Sequence, residues 1–430
     1  MGFKRFDWYS WGLVTGFSLV VSFLFFSFQG VGSSVWLIGG YSVEYGGVFV
    51  FDVISFYLCF LSGFLFFSLC CVFGSMSRVS LFFVSLSVFS SFLCYCCVDG
   101  FWFWFFYEAS ILFLLLLLVL ESPYSERFVA TWYLFGYVVF TSLPMLLLIF
   151  YLSSLFGTFD LQLWSFFGLV TDSSKVFLAI LLVLFVTKIP LFPFHVWLPI
   201  VHAEASSPVS VCLSGYVMKL GLLGVVRFGS FILSDLVFSL DYVLVCFGFS
   251  IVFLFCASRE LDSKRWLAFM SLSHIVIAVI CLSTCDYDKV FVAYWFCLGH
   301  GLSAGVMFIV LWFLYEVSGT RNWLLLKDAV SSSFLIRFIV LASICLVASV
   351  PPSLQFFSEV LALCSSSLVS LSYVFLFFLY LFVGGLVPLF VIGSLVSRHY
   401  NISYGKCVGF SFVMSCVFLI VWSFFLFLIF

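Results

Sequence analysis

The chain has little charge: Lys, Arg, Asp and Glu make up 8% of its 430 residues, and the formal net charge is −2. A soluble domain has roughly 25% charged residues, so this composition excludes an ordinary soluble protein. The near-neutral balance also provides no basic surface for nucleic acid. Because hydrophobic residues make up 65% of the chain, we predict a membrane protein.

The patterns that hold metals and nucleotides are also missing from the sequence. The 5 histidines are scattered over separate segments. The densest cysteine group, Cys94, Cys96 and Cys97, lies in an apolar run, whereas zinc and iron–sulfur ligands lie in loops with repeated, regularly spaced cysteine pairs. No glycine-rich phosphate loop follows a strand–turn–helix pattern. We therefore predict no metal site and no nucleotide site in this chain.

Long apolar runs are what the sequence has in abundance. Each crossing of a bilayer needs about 20 apolar residues, so the runs predict an all-α polytopic membrane protein of about thirteen transmembrane helices. Two predicted spans, 174–203 and 332–366, are too long for simple helices, and both contain prolines. Because proline interrupts helical hydrogen bonding, we predict that both are broken helices.

Basic residues are distributed unevenly between the two sides of this map. The side of the N-terminus receives Lys4, Arg5, Arg78, Arg127, Arg259, Lys264, Arg265, Arg321, Lys327, Arg398 and Lys406. The opposite side receives only Lys175, Arg227 and Lys289. By the positive-inside rule, the N-terminus is predicted on the cytoplasmic or matrix side. Asp262 and Lys264 fall in a charged run, which we interpret as solvated.

The two predicted breaks lie five crossings apart, and this odd offset inverts the second relative to the first. Inverted repeats with broken helices near mid-membrane are typical of transporters. The predicted domains are N-terminal transmembrane helices over 1–100, a first repeat over 101–228 broken near 188–195, an inverted second repeat over 232–396 broken near 351–359, and a C-terminal helix over 397–430.

Ionisable residues near the middle of predicted spans are the candidate functional residues. They are Glu108, Lys188, Lys219, His274, His300 and Glu359, with His195 just beyond the first break. A charge at the bilayer centre costs about 3 kcal/mol or more and is rarely kept there without use. Burial favours the neutral form of such a group and a nearby opposite charge favours the ionised form, so partners that approach and retreat can load and release a proton.

Several of these residues also have a purely structural interpretation. Glu108 follows aromatic residues that could mark a headgroup boundary, and Lys188 could satisfy carbonyls freed by the nearby proline. His274 could be a hydrogen-bonded core histidine. His202 and Glu204 are expected near the surface on the side of the N-terminus, where a loop role and a role in proton entry are equally compatible with the sequence.

The same positions resemble a known family. The matching segments are Tyr107-Glu108-Ala, Lys188-x-Pro-Leu-x-x-x-His195-x-Trp-Leu-Pro-x-x-His202-x-Glu-Ala205, Lys219-Leu-Gly, Ala268-Phe-x-Ser-x-Ser-His274, His300-Gly-Leu-Ser and Pro351-Pro-x-x-x-Phe-x-x-Glu359. Over residues 100–366, the chain resembles subunit 4 of mitochondrial NADH dehydrogenase (respiratory complex I), an antiporter-like subunit of the membrane arm.

The resemblance implies a proton-translocating subunit with a central hydrophilic axis. In such an axis, Glu108 and Lys188 would be the charge pair of one half-channel, Lys219 the connecting lysine, and Glu359 the acid on the second broken helix. Relay or connecting roles would fall to His195, His274 and His300. Redox chemistry in other subunits would drive the transfer.

The resemblance also implies a location and partners. The chain would be a multi-pass protein of the mitochondrial inner membrane, in contact with lipids and with membrane-arm subunits that include the antiporter-like subunits 2 and 5. NADH, FMN, iron–sulfur clusters and ubiquinone would belong to other subunits, with no cofactor bound by this chain. We therefore interpret it as a subunit of NADH:ubiquinone reductase without a redox centre of its own.

The chain departs from the family pattern at two places. Its N-terminal part is short, so Glu108 falls on the fourth predicted span where the family has the fifth. The proline that usually follows Glu-Ala is replaced by Ser206, and Pro208 lies two places later. Two other functions are compatible with the same residues: a stand-alone or multi-subunit monovalent cation/proton antiporter, and a structural membrane-arm subunit whose buried charges are inert.

Overall fold

A computed structural model describes residues 8–29, 36–37, 48–122, 125–167, 172–229, 238–284, 290–330, 333–397 and 409–428. Its α-helices are α1 (Trp8–Gln29), α2 (Val53–Cys71), α3 (Arg78–Cys96), α4 (Gly100–Glu121), α5 (Arg127–Phe156), α6 (Leu161–Phe167), α7 (Asp172–Lys188), α8 (Trp197–Glu204), α9 (Ser207–Cys212), α10 (Met218–Gly229), α11 (Leu240–Arg259), α12 (Ser263–Thr284), α13 (Phe291–Ser318), α14 (Trp323–Val330), α15 (Phe334–Val347), α16 (Leu354–Ser367), α17 (Leu371–Val396) and α18 (Phe410–Phe425). A short antiparallel ribbon pairs β1 (Trp36–Leu37) with β2 (Val50–Phe51).

The polytopic all-α prediction is confirmed. The described residues contain 10 helical stretches long and apolar enough to cross a membrane, one of which runs from α9 through a π-helical segment (Leu213–Val217) to α10. Shorter apolar helices add to these, among them α15. The count of about thirteen crossings stays a prediction. The division into two inverted repeats also stays a prediction.

Local sequence explains where several helices begin and end. Asp52 caps α2 by accepting from the backbone N–H of Ser55 at 2.8 Å, and the Ser55 hydroxyl oxygen accepts from the Asp52 N–H at 2.7 Å. Asp99 caps α4 in a similar way. At the C-terminal end of α5, Gly157 adopts a left-handed φ of 73°, which glycine reaches without the steric cost of a Cβ.

Both predicted broken helices are confirmed. The first is divided into α7 and α8 by a non-helical stretch over 189–196, and the second into α15 and α16 by a stretch over 348–353. Backbone groups freed at the breaks find side-chain partners: the Tyr242 hydroxyl donates to the Phe192 carbonyl at 2.9 Å. The Ser353 hydroxyl accepts from the backbone N–H of Phe356 at 3.3 Å and so caps α16.

The core of the molecule is formed by α13 and the α9–α10 stretch, each of which contains 18 consecutive residues that are all buried. Helix α13 contacts α2, α9, α12, α15, α16 and α18. At the periphery, α5 and α17 expose large apolar side chains, such as Phe140 and Phe375. Apolar side chains on the outside and polar ones within are what a lipid environment favours, and the candidate functional residues lie in this interior.

Glycines bring α10 against the first broken helix. A Cβ on Gly224 would lie 2.3 Å from Cε1 of Phe185, and one on Gly221 would lie 3.0 Å from Cγ1 of Ile189. Real Cβ atoms do not come as close as the first of these distances, so α10 approaches α7 in a way that only glycine allows. This contact places Lys219, two residues before Gly221, next to the first break.

One expectation about charged residues needs correction. Lys264 is not part of a solvated run: its side chain is buried, and its Nζ donates to the Ala205 carbonyl at 2.8 Å. Arg227, counted on the side opposite the N-terminus, forms an ion pair with Asp52 at 2.6 Å. Burial opposes ionisation of Asp52, but the Arg227 charge and its hydrogen bond hold the pKa of that carboxyl below its ordinary value.

Some of the basic residues used to orient the chain lie outside the described residues. They are Lys4, Arg5, Lys289, Arg398 and Lys406. The predicted orientation of the N-terminus therefore stays a prediction.

Candidate functional site

Glu108 and Lys188 meet in the interior beside the first break. Glu108 lies on α4, the fourth helix, as predicted, and Lys188 is the last residue of α7. Their side chains form a hydrogen-bonded ion pair and are only 13% and 6% exposed. The Lys188 Nζ also lies 4.6 Å from the centroid of the Tyr107 ring. Oε2 of Glu108 is buried with no hydrogen-bond partner among the described residues.

Lys219 lies one residue into α10, directly after the π-helical segment, and is fully buried. Its Nζ donates to the carbonyl of Ser214 within that segment. A π-helical turn disturbs the regular pattern of backbone hydrogen bonds and is frequent at functional sites. Within the part of the chain that the structure describes, Lys219 forms no ion pair with a carboxylate, and its amine is bonded to the backbone of the irregular turn.

His300 occupies the point where α13 touches both halves of the molecule. A Cβ on the preceding Gly299 would lie 2.8 Å from the backbone nitrogen of Gln355, and one on the following Gly301 would lie 3.0 Å from the carbonyl oxygen of Gly215. The glycines thus allow contact with the second break on one side and with the π-helical segment on the other. Lys219 is close enough to His300 for their charges to interact.

The second break holds a larger cluster, formed by His274 of α12, Gln355 and Glu359 of α16, Tyr380 of α17 and Ser349 of the break itself. Oε1 of Glu359 accepts from the Ser349 hydroxyl at 2.8 Å and from the Gln355 amide at 3.2 Å. Nδ1 of His274 lies 2.5 Å from the Tyr380 hydroxyl and 3.7 Å from the same Oε1.

This cluster continues to His300. The ring centroids of His274 and His300 are 5.4 Å apart. The hydroxyl of Ser303, one turn after His300, lies 2.9 Å from Oε1 of Gln355 and 3.0 Å from the His300 carbonyl. Neither ring nitrogen of His300 has a hydrogen-bond partner among the described residues. Buried polar atoms of this kind are where water binds inside proteins.

Of the predicted site residues, only His195 is apart from the others. It lies in the first break, half-buried, with its ring 4.7 Å from that of Phe253 and 6.1 Å from that of Phe192. Phe253 lies on α11, whereas Phe192 belongs to the break itself. The structure therefore pairs Glu108 with Lys188 and groups His274, His300 and Glu359, with Lys219 near His300, and it leaves His195 apart from both groups.

Sequence reasoning missed a group of residues around the C-terminal end of α8. The last carbonyls of this helix accept hydrogen bonds from Arg321, Ser122 and Lys264. His202, which the sequence placed near a surface, is fully buried and stacks on Phe308 at 5.0 Å. Lys219 and Lys264 both lie close enough for their charges to act on His202.

The neutral members of the second cluster, Gln355 and Tyr380, were also missed. Only their position would have revealed them: Gln355 lies one helical turn before Glu359, and Tyr380 lies on the next helix. Within the described part of the chain, no group of three or more His, Cys, Asp and Glu side chains could hold a metal ion. The arrangement can bind and transfer protons, because it consists of buried acids, bases and hydroxyls at bonding distance.

Chains of two solved membrane complexes have a fold similar to that of this protein. A chain of the respiratory complex I from Thermus thermophilus with bound NADH superposes with a TM-score of 0.78 at 21% identity, over 97% of this chain and 91% of that one. A chain of the Mrp complex from Dietzia sp. DQ12-45-1b also gives 0.78, at 15% identity, over 97% and 88%. At these identities the match shows the fold alone.

Sequence comparison confirms the resemblance. NADH-ubiquinone oxidoreductase chain 4 of Caenorhabditis elegans is 30% identical over 230 residues, 53% of this chain and 55% of the relative. The chain 4 of Rhipicephalus sanguineus is 30% identical over 237 residues, 54% and 53%. The chain thus spans about half the length of the curated relatives it matches. A family model matches residues 98–387, and on that match the chain belongs to the NADH:quinone oxidoreductase/Mrp antiporter transmembrane family.

Proposed function

We propose that this chain is the antiporter-like subunit 4 of a respiratory NADH:ubiquinone oxidoreductase and that it translocates protons across the mitochondrial inner membrane. Oxidation of NADH and reduction of ubiquinone take place in other subunits, which also hold the cofactors. This chain supplies proton-binding side chains and binds no cofactor itself. Its partners are the other membrane-arm subunits, including the antiporter-like subunits 2 and 5, and membrane lipids.

One observation carries this proposal: each broken helix places an ionisable side chain beside a partner in the interior, and a fully buried lysine lies between the two breaks. Ionisable groups inside a membrane protein are costly and are kept for transport or proton relay. The proposed axis runs from Glu108 and Lys188 through Lys219 to His300, and from there to the cluster around Glu359.

The first step is a change in the ion pair at the first break. Separating Glu108 from Lys188 removes the attraction that keeps both charged, so Lys188 then favours its neutral form and the proton affinity of its surroundings changes. Moving one charge against 100 mV costs about 2.3 kcal/mol. The two charges of an ion pair at about 4 Å in a partly buried site attract each other by about 4 kcal/mol. Loss of this attraction when one partner is displaced is therefore large enough to drive the step.

The following steps take the proton along the interior. Among the described residues Lys219 has no carboxylate partner, so its charge responds to displacement of neighbouring charges. Both ring nitrogens of His300 lack a hydrogen-bond partner in the described part of the chain and can bind water, and His274 leads from there to Glu359, the acid of the second break. His195 lies apart from this axis. Its role would be in the route by which protons reach the first break.

The test is Lys219→Ala in the assembled complex. Proton translocation by the complex in vesicles should fall by at least about tenfold, within the range for loss of an acid–base group, while the amount of assembled complex remains comparable. The matched control is Lys327→Ala, because Lys327 lies on α14 and its Nζ bonds the Ser397 hydroxyl at 3.1 Å. Normal translocation by an assembled Lys219→Ala complex would support the structural alternative with inert charges.

A cation/proton antiporter is the second candidate function, since the Mrp complex chain matches this fold as well as the complex I chain does. Both functions would use the same buried axis, so the assembly separates them. Co-purification of the chain with flavin- and iron–sulfur-bearing subunits supports our proposal. Sodium-dependent proton exchange by a complex without those subunits supports the antiporter.

A further inference from the structure

His274 and Glu359 are close but not in direct contact. Nδ1 of His274 lies 3.7 Å from Oε1 of Glu359, which is longer than a hydrogen bond of about 3 Å. Two side chains bridge the gap. The Tyr380 hydroxyl lies 2.5 Å from the imidazole nitrogen and 3.5 Å from the carboxylate oxygen. The Gln355 amide nitrogen lies 3.3 Å from the first atom and 3.2 Å from the second.

The two bridges differ in what they can do to a proton. A hydroxyl has one hydrogen to donate and lone pairs to accept, so it can receive a proton on one side and release its own on the other. The nitrogen of a carboxamide only donates. The Gln355 bridge can therefore position both partners, but it cannot pass a proton between them.

We propose that Tyr380 is the relay between His274 and Glu359, and that Gln355 is a positioning residue that favours the unloaded state of the imidazole. This inference rests on the proposed proton translocation. Tyr380 is 1% exposed, and its ring packs against those of Phe247 and Phe377, at centroid distances of 5.8 and 6.3 Å. This packing in the buried interior holds the ring that carries the hydroxyl.

The relay step conserves protons. When the neutral imidazole carries its hydrogen on Nδ1, a proton that reaches Nε2 of His274 makes it a cation, and its Nδ1–H then donates to the Tyr380 oxygen. The N–H bond breaks as a new O–H bond forms, and the original hydroxyl proton moves to Oε1 of Glu359, which becomes a neutral acid. His274 is left neutral with its hydrogen on Nε2. Return of that hydrogen to Nδ1, together with rotation of the Tyr380 hydroxyl, prepares the next transfer.

The distances from the Tyr380 hydroxyl to His274 and to Glu359 are unequal, and the longer one limits when the proton can be transferred. The contact with His274 is a short hydrogen bond, whereas the 3.5 Å to Glu359 exceeds the usual O–H···O length of about 2.8 Å. Transfer therefore waits until Glu359 moves toward the hydroxyl. Glu359 lies on α16 just after the non-helical stretch over 348–353, so a shift of this half-helix would close the gap.

Gln355 is oriented for its role by Ser303. The Ser303 hydroxyl lies 2.9 Å from Oε1 of Gln355, so the amide group of Gln355 points to the other two partners. An N–H that donates to Nδ1 of His274 requires that nitrogen to be unprotonated. The amide thus stabilises the imidazole after it has released its proton, and it competes with the loaded state.

The experiment compares Tyr380→Phe with Tyr373→Phe in the whole complex in vesicles. Tyr380→Phe removes only the relay oxygen and keeps the ring packing. Tyr373 is buried two turns earlier on the same helix, and its hydroxyl has no hydrogen-bond partner among the described residues. We expect at least a tenfold lower proton flux per assembled complex for Tyr380→Phe, with the KM for NADH unchanged, and normal flux for the control.

Two further variants make the test specific for proton relay. Tyr380→His, which restores a side chain that accepts and donates protons, should recover a substantial part of the flux, and no recovery in an assembled complex would overturn the relay. Gln355→Met should reduce the flux much less than Tyr380→Phe. An equal or larger loss would show that the flux depends on the positioning by Gln355 at least as much as on the Tyr380 hydroxyl, and it would overturn the inference.

The outcomes also separate this inference from the proposed function. If Lys219→Ala abolishes translocation and Tyr380→Phe does not, the relay is wrong and the proposed function stands. If both variants translocate normally, the proposed function is wrong. Should Tyr380→Phe lower the amount of assembled complex, the Tyr380→His variant decides the question.

Discussion

The two broken helices of this protein hold their acids in different ways. At the first break, Glu108 has one partner, the cation of Lys188, and one of its oxygens is unpaired among the described residues. At the second break, Glu359 forms an ion pair with no lysine or arginine of the described ranges and accepts from hydroxyl and amide groups instead. The first site therefore depends on opposite charges, and the second is a place where an acid can be charged or neutral at little structural cost.

This difference matters because the two sites answer to different perturbations. A charge pair responds to movement, since its energy changes with the distance between its members. A carboxyl surrounded by neutral donors responds to the arrival of a proton, since the same donors can bond either form. The first break is therefore suited to respond to a displacement, and the second is suited to receive the proton. Substitutions at the two breaks should differ accordingly in their effects on stability and on proton flux.

The largest effect should follow Lys188→Ala. This change leaves Glu108 buried without a counter-charge, which costs roughly 3–5 kcal/mol for a buried pair. We expect a strong loss of assembled complex in the membrane, measured by native gel electrophoresis. The double variant Glu108→Gln with Lys188→Met should restore assembly without restoring proton flux. Normal assembly of the single variant would show that the first site does not depend on its charge pair.

Glu359→Gln should affect function rather than stability. The new amide oxygen can accept from Ser349 and Gln355 as the carboxylate does, so the change in stability should be about 1 kcal/mol or less. Proton flux should nevertheless fall at least tenfold, because an amide cannot take up a proton. The measurement is flux per assembled complex, with Glu316→Gln on α13 as the control. A destabilisation as large as that of Lys188→Ala would remove the contrast between the breaks.

A smaller effect should separate two replacements of Ser349. This residue has a left-handed φ of 53°, which costs a side chain roughly 1–2 kcal/mol that glycine does not incur. Both Ser349→Ala and Ser349→Gly lose the hydrogen bond to Glu359, but only glycine relieves the backbone. The alanine variant should therefore be less stable than the glycine variant by about 1 kcal/mol. Thermal unfolding of the purified complex measures the difference, and the reverse order would contradict the assigned backbone conformation.

The smallest effect should come from His195→Phe. The ring packs against Phe192 and Phe253 at the edge of the first break, and a phenyl ring can fill the same space. Stability and proton flux should both change by less than twofold. A tenfold loss of flux, comparable to that expected of Lys219→Ala, would place His195 on the proton path after all.

The sequence predicted the breaks and most of the buried charges for simple reasons. The spans 174–203 and 332–366 are too long for one crossing and contain prolines, and the two properties together predict an interruption, whereas Pro144 and Pro388 remain inside the continuous helices α5 and α17. Lys219 lies too far from the ends of its apolar run to reach water, and a buried charge needs a partner or a function. These arguments need only the distance along a helix, which the sequence contains.

Other features could not be read from the sequence because they depend on distant contacts. Nothing in Leu213–Val217 distinguishes a π-helical turn from an ordinary one. Lys264 lies in a charged run, and only the end of α8 folding against it provides the carbonyl that it binds. Tyr380 and Gln355 are common helical residues, and their importance comes from facing His274 across three helices.

The glycines on either side of His300 have a mechanical consequence. At Gly299 a Cβ would lie 2.8 Å from the backbone nitrogen of Gln355, so α13 meets the backbone at the start of α16 with no side chain of its own in between. At Gly301 the side chain of Leu61 packs beside the Gly215 carbonyl. Packed interiors transmit strain rather than absorb it. We therefore expect a small displacement of α13 near His300 to shift the start of α16, the half-helix that carries Glu359.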